Sequence, residues 1–117
     1  MSAQRDADCL FCKIVAGEIP ADVVHETEHT VAFRDVEPQA PTHVLVVPRN
    51  HHENVVSLTA DEPGTMTELV EVAAAVAAKE GLEGFRLVFN TGRAAGQLVM
   101  HTHAHVLGGR PLRWPPG

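Results

Sequence analysis

The sequence predicts an α+β fold on an antiparallel sheet, because five short strand patterns accompany one long helical pattern inserted late in the chain. The helical pattern lies over residues 60–80, where Met66, Leu69, Val70, Ala73, Val76 and Ala77 recur at helical spacing and make one apolar stripe. The strand patterns are short apolar or β-branched runs broken by turn residues.

Taken in order, residues 1–8 are polar and are expected to be loose, and residues 9–117 are expected to form one domain. Residues 10–16 read as a short helix stopped by Gly17, followed by a turn through Glu18-Ile19-Pro20. Residues 23–26 and 30–36 read as a hairpin bent at 27–29, and residues 37–41 as a loop bracketed by prolines. The β-branched run 42–47, closed by Pro48, is a third strand. Thr59 or Thr65 is a candidate cap for the long helix, with Gly81 as its stop, and Pro63 blurs the start. In residues 85–90 Phe85, Leu87 and Phe89 share one face and Arg86, Val88 and Asn90 the other. A loop over 91–97 feeds a last strand over 98–107, and the tail 108–117 is rich in Gly and Pro.

The chain of 117 residues is long enough for one domain, which at this size buries roughly two-thirds of its unfolded surface. Nine Lys and Arg against fifteen Asp and Glu give a net charge of −6, which argues against a nucleic-acid groove. No stretch approaches the ~20 apolar residues of a membrane span, and residues 1–8 lack the apolar core and basic flank of a signal peptide. A cytoplasmic address is therefore expected, where the only two cysteines, Cys9 and Cys12, stay reduced unless they hold a metal or do redox work.

Eight histidines in a chain with no Tyr call for an explanation, and their placement supplies one. In His101-Thr102-His103-Ala104-His105 a regular strand would point all three imidazoles to one face and Thr102, Ala104 and Val106 to the other. A solvated strand face would more ordinarily carry Thr, Lys or Glu. On such a strand His101 and His105 lie about 13 Å apart, too far to share one tetrahedral ion, so the row is expected to divide its labour. Imidazole suits attack on phosphorus, because it is largely neutral at pH 7 yet able to carry a proton, and a phosphoryl-imidazolium intermediate is reactive. The adjoining Gly92-Arg93-Ala94-Ala95-Gly96-Gln97 loop would let backbone N–H groups approach phosphate oxygens, or is a plain turn.

Cys9-Leu10-Phe11-Cys12 is half of a zinc site by spacing, with His51 and His101 as candidates for the missing ligands. A redox pair and two free reduced thiols are the rival readings. Asp35, at the end of the second strand, is a candidate acceptor for ribose hydroxyls or else a solvated acid. His25 and His29 read as surface residues, and His43 and His52 as polar positions rather than supports for a site.

These residues resemble the histidine-triad (HIT) proteins, whose motif is His-x-His-x-His. Phe11-Cys12-Lys13-Ile14, Gly17-Glu18-Ile19-Pro20, Pro38-Gln39-Ala40-Pro41-Thr42-His43 and Pro48-x-x-His51 resemble the Hint branch. So do Gly96-Gln97, Val106-Leu107-Gly108-Gly109-Arg110 and the Trp114-Pro115-Pro116-Gly117 ending, so that the similarity spans residues 9–117. The resemblance implies the HIT fold, a five-stranded antiparallel sheet with one long and one short helix, and a homodimer joining two sheets into ten strands. It implies a purine nucleotide as partner and hydrolase activity of the adenosine 5′-monophosphoramidase kind, on purine nucleoside phosphoramidates and aminoacyl-adenylates. By that resemblance His103 is the nucleophile, His105 contacts the phosphate, and His101 helps hold the nucleophile. Asp35 matches the ribose-binding acid, and Val36, Asn90, Gly96, Gln97 and Leu98 match positions lining the nucleotide and phosphate. The bacterial members it resembles hold a structural zinc at positions matching Cys9, Cys12, His51 and His101, and no catalytic cofactor is expected. Leu98 stands where Hint-branch members usually carry Ser, and Thr102 and Ala104 are smaller or more polar than the usual spacers. Three rival readings accompany this one: a nucleotide-binding or scaffold protein with little turnover, a dinucleoside polyphosphate hydrolase, and a zinc hydrolase with the triad as ligands.

Overall fold

A computed structural model describes residues 5–117. Of the segment expected to be loose, residues 1–4 lie outside the described residues, while the Asp6 carbonyl accepts a hydrogen bond from Cys9 N (3.0 Å). Helix α1 (Leu10–Val15) starts at Cys9, whose Sγ accepts from the Cys12 backbone N–H. It ends at Gly17, whose φ of 78° allows Gly17 N and Glu18 N to bond back to Ile14 O and Lys13 O.

The sheet order is β1-β2-β3-β5-β4, antiparallel throughout, from β1 (Val23–Glu26), β2 (Thr30–Arg34), β3 (Thr42–Pro48), β4 (Phe85–Val88) and β5 (Ala104–Gly108). Pleating divides it into two faces. Ala32, Val44, Val46, Ala104 and Val106 pack under helix α3 (Pro63–Lys79) with Leu69, Val72, Ala73 and Val76. Val31, Phe33, Leu45 and Val47 pack under α1 with Phe11 and the two cysteines. At the far end of α3, Arg34 grips Glu80 with two parallel bonds of 2.9 and 3.0 Å, fastening β2 to the helix terminus.

Three expectations need correction. A second short helix, α2 (Val55–Asp61), precedes α3, capped by Asn54, whose side chain takes the Val56 and Ser57 N–H groups while Ser57 Oγ takes that of Asn54. The long helix therefore begins at Pro63, not near residue 60, and neither Thr59 nor Thr65 is its cap; Pro at the first helical position forfeits an N–H that had no partner anyway. Its buried stripe takes in Val72 and leaves Val70 exposed.

The last strand starts at Ala104 and not at residue 98. The β3–β5 register sets Val46 opposite Ala104, so the next pairs would be Val47 with His103 and then Pro48 with Thr102. Pro48 has no N–H to give, its carbonyl lies 2.9 Å from His101 Nε2, and Thr102 N donates instead to His52 O (2.8 Å). The ladder stops there, so of the three histidines only His105 lies within the strand.

Candidate active site and metal centre

Only His105 lies on β5, yet the imidazoles of His101, His103 and His105 all stand on the α1 side of the sheet, opposite Ala104 and Val106. His101 turns under α1, where its Nδ1 lies 3.3 Å from Cys9 Sγ and 3.5 Å from Cys12 Sγ. His51 Nδ1 lies 3.4 Å from Cys12 Sγ. One ligand atom from each of Cys9, Cys12, His51 and His101 falls within 4.8 Å of the others, so the four are positioned to bind a metal ion. Two thiols and two imidazoles form a closed set of the kind that holds a structural tetrahedral ion. The Pro48 carbonyl can only accept, so it fixes the His101 proton on Nε2 and leaves Nδ1 free to ligate. Burial pushes the His101 pKa down to about 4, which keeps the ring neutral as a ligand must be. Burial likewise pushes the Cys12 thiol up.

Two residues on, His103 packs against Phe11, the same ring that His101 meets. Its Nδ1 lies 2.7 Å from the His101 carbonyl oxygen, its ring meets the edge of Phe11 at 5.0 Å, and His105 stands 5.0 Å away. Between the two, Thr102 is held by its N–H and its hydroxyl, which donate to His52 O at 2.8 and 3.0 Å. Burial lowers the His103 pKa, opposed by the His101 carbonyl and the charge of Asp35. His105 is pushed down to about 4 by burial and then by the neighbouring His103 and His43. Both rings are therefore neutral near pH 7.

His43 is the residue that sequence reasoning missed. It is buried, with Nε2 2.9 Å from His105 Nδ1 and 3.5 Å from Asp35 Oδ2, so Asp35, His43 and His105 form one cluster. Alternation along β3 puts His43 on the face of Leu45 and Val47, but its meeting with His105 depends on the strand register. Phe11 was also overlooked as a wall for His103, although it stands inside the Cys-x2-Cys motif. His52 is buried too, with Nε2 3.0 Å from Asp61 and 3.2 Å from Glu62. His29 is a surface residue, paired with Glu68.

The remaining candidates surround this centre unevenly. Asn90 lines a cleft of about 420 Å³ with His43, His105, Arg86 and Arg113. Gln97 is buried, and both its amide hydrogens are committed to the carbonyls of Glu53 and Val99 while its Oε1 takes Gly92 N–H. It thus braces the loop, in which Gly92 and Gly96 adopt φ of 87° and 90°. Val36 and Leu98 are 94% and 84% exposed and touch none of these groups through a hydrogen bond. Among the described residues no helix is long and apolar enough to cross a membrane.

The sheet and its imidazole-bearing face place the chain among small α+β proteins that gather histidines over an antiparallel sheet. A family model described as HIT domain matches residues 16–112, and the protein belongs to that family. The chain is 43% identical over 107 residues to the purine nucleoside phosphoramidase of Escherichia coli, covering 90% of each chain. It is 51% identical over 111 residues to an uncharacterized HIT-like protein of Synechococcus elongatus, covering 94% of this chain and 97% of that one. Among solved structures it resembles a HIT family hydrolase from Legionella pneumophila with a TM-score of 0.90 at 47% identity, covering 94% of this chain and 100% of that chain. A histidine triad protein from Clostridium difficile gives 0.89 at 38%, with 94% and 97% covered.

Proposed function

We propose that this protein is a cytoplasmic HIT-family hydrolase that cleaves the P–N bond of purine nucleoside phosphoramidates, and the acyl-phosphate bond of aminoacyl-adenylates, through a nucleotidyl-His103 intermediate. One observation carries the reading. A carbonyl 2.7 Å from His103 Nδ1 holds the ring's proton there, and so leaves the Nε2 lone pair available. In the first step Nε2 attacks the α-phosphorus, the P–N bond breaks, and the amine leaves with a proton taken from solvent, to which the water of the second step returns one. In the second, water attacks the phosphorus, the bond to Nε2 breaks, and the nucleoside monophosphate leaves with His103 neutral again. His101 and His105 complete the catalytic group, the first through its carbonyl and the second toward the phosphate.

Asp35 and Val36 are assigned to the ribose side of the nucleotide, and Asn90, Gly96, Gln97 and Leu98 to the phosphate side. Cys9, Cys12, His51 and His101 would hold zinc, whose contribution is to fold the segment carrying His101 and His103 rather than to meet the substrate. A homodimer is part of the proposal, and it is supported by β4, which among the described residues is an edge strand of the sheet. Two such edges joined would give ten strands.

The test is mass spectrometry of protein quenched during turnover of an adenosine phosphoramidate, beside steady-state rates. An adenylyl adduct on the unmodified protein and not on His103→Ala, with turnover, is the expected result. The exposed Leu98, with no polar atom to offer a phosphate, favours one second reading, a nucleotide-binding protein with little turnover. AMP binding with neither adduct nor turnover would establish it.

A further inference from the structure

Consecutive histidines serve separate clusters. His51 stands beside Cys12, whereas the ring of His52 is turned to Asp61 and Glu62 at the junction of α2 and α3. Its Nε2 lies 3.0 Å from Asp61 Oδ2 and 3.2 Å from Glu62 Oε2. One ligand atom from each of these three residues falls within 4.8 Å of the other two.

The local structure is arranged around that meeting. Glu62 holds the N-cap position of α3, yet its carboxylate caps none of the helix N–H groups. It is turned to the ring instead by two neutral donors, Asn50 Nδ2 on Oε2 (3.1 Å) and Thr65 Oγ1 on Oε1 (3.3 Å). The His52 side chain is only 6% exposed and its Nδ1 has no partner, so Nε2 is the polar outlet of the ring. A neutral imidazole brings at most one proton to that atom, and two carboxylates would have to share it. Among the described residues no Lys or Arg pairs with Asp61 or Glu62, so the chain itself brings no full cation to the two acids.

We propose that His52, Asp61 and Glu62 form a second metal site, for a divalent transition ion of the manganese(II) kind, separate from the cysteine and histidine set. An octahedral ion with bonds of about 2.1 Å sets neighbouring ligand atoms about 3.0 Å apart, which is the spacing around Nε2. One nitrogen and two carboxylate oxygens suit a borderline ion, whereas calcium wants six to eight oxygens and magnesium takes carboxylates and water. Asp61 is 62% exposed, which gives an ion entry and leaves room for water as the remaining ligands. The ring is a weaker ligand than that of His101, whose Nε2 is backed by the Pro48 carbonyl while His52 Nδ1 faces no acceptor. The affinity therefore belongs to an exchangeable ion and not to a structural one. The same residue gives its carbonyl to the N–H and hydroxyl of Thr102, so the ion ties the α2–α3 junction to the segment between His101 and His103.

The probe is manganese(II) itself, titrated into full-length protein that already carries one zinc per chain, with the free ion read by electron paramagnetic resonance. The expected result is one manganese bound per chain with micromolar affinity, retained against an equal concentration of magnesium. Pulsed spectra of the bound ion should show coupling to one imidazole nitrogen. Asp61→Asn and Glu62→Gln should each weaken binding at least about tenfold, the least that loss of a ligand costs, with the zinc content unchanged. Asp61 is exposed, so Asp61→Asn decides alone should Glu62→Gln fail to fold. No manganese bound up to about 1 mM, the weak end of carboxylate sites, overturns the proposal and leaves His52 as a plain hydrogen-bond donor to the two acids. Binding that survives Asp61→Asn at full strength, that magnesium displaces at equal concentration, or that shows no coordinated nitrogen overturns it as well.

Discussion

His103 leans on the carbonyl of His101, with Nδ1 and the oxygen 2.7 Å apart and one residue between them. The residue that supplies this carbonyl also supplies an imidazole to the Cys9, Cys12, His51 set, so that cluster and the His103 ring are neighbours through a single peptide segment. Replacing His103 by Ala removes the ring and leaves the His101 side chain and its contacts in place. The expected result is a loss of at least about 10³-fold in adenosine phosphoramidate turnover, the cost of deleting a nucleophile. Melting should change by only a few degrees and AMP should still bind.

Metal removal acts on a different quantity. Loss of a structural ion removes several kcal/mol of folding energy, at about 4 °C of melting temperature per kcal/mol for a chain of this size. Chelation or Cys12→Ser should therefore lower the melting temperature by roughly 10 °C or more. Elemental analysis of the unmodified protein should find one zinc per chain. A chelated sample that melts unchanged would refute the structural role.

Acid stability follows from the buried imidazoles. His105 is held down to about 4 by burial and its histidine neighbours, and His43 is lowered by burial, against an ordinary value of 6.5. Below pH 6.5 the unfolded chain takes up protons at these positions that the folded chain refuses, so stability is lost as the pH falls from 6.5 toward about 4. Urea midpoints measured across that window should decline less steeply in His105→Asn than in the unmodified protein.

Gly109 follows β5 with a φ of +92°, and a Cβ built there would stand 2.9 Å from Pro41 Cβ. Both the backbone conformation and the close approach disfavour a side chain. Gly109→Ala should destabilise by about 2 kcal/mol, read as a lower urea midpoint at unchanged slope.

Leu98 is solvent-facing, so Leu98→Ser should shift stability by no more than about 0.5 kcal/mol. If the position faces the phosphate, the new hydroxyl should raise kcat for phosphoramidates about tenfold, the scale of one hydrogen bond. An unchanged kcat would remove Leu98 from the nucleotide site.

The elements most legible in the sequence were those whose signals are local. The β-branched run of β3, the glycine stop of α1 and the apolar stripe of α3 each declare themselves within a dozen residues, and Cys-x2-Cys is a spacing rule. Helix α2 escaped because seven residues are too few to show a period, and because its cap pairs Asn54 with Ser57 instead of the usual Glu or Gln. The start of β5 and the place of His43 were hidden for another reason. Both depend on which residue of β3 lies opposite which residue of β5, and register is a property of two distant segments. Reading His101 to His105 as one regular strand followed from ignoring the proline across the ladder.

The two faces of the sheet have a consequence for how such a protein can change over generations. Val44, Val46, Ala104 and Val106 are spent on the foundation beneath α3, while His43, Leu45, His105 and Leu107 alternate with them on the other side. A mutation at any one of these strand positions is therefore felt chiefly on one side, by the foundation or by the chemistry. The histidine-bearing face can be rewritten by successive substitutions, each sampled on a scaffold that still stands, and a new ligand can be tried without first inventing a new fold.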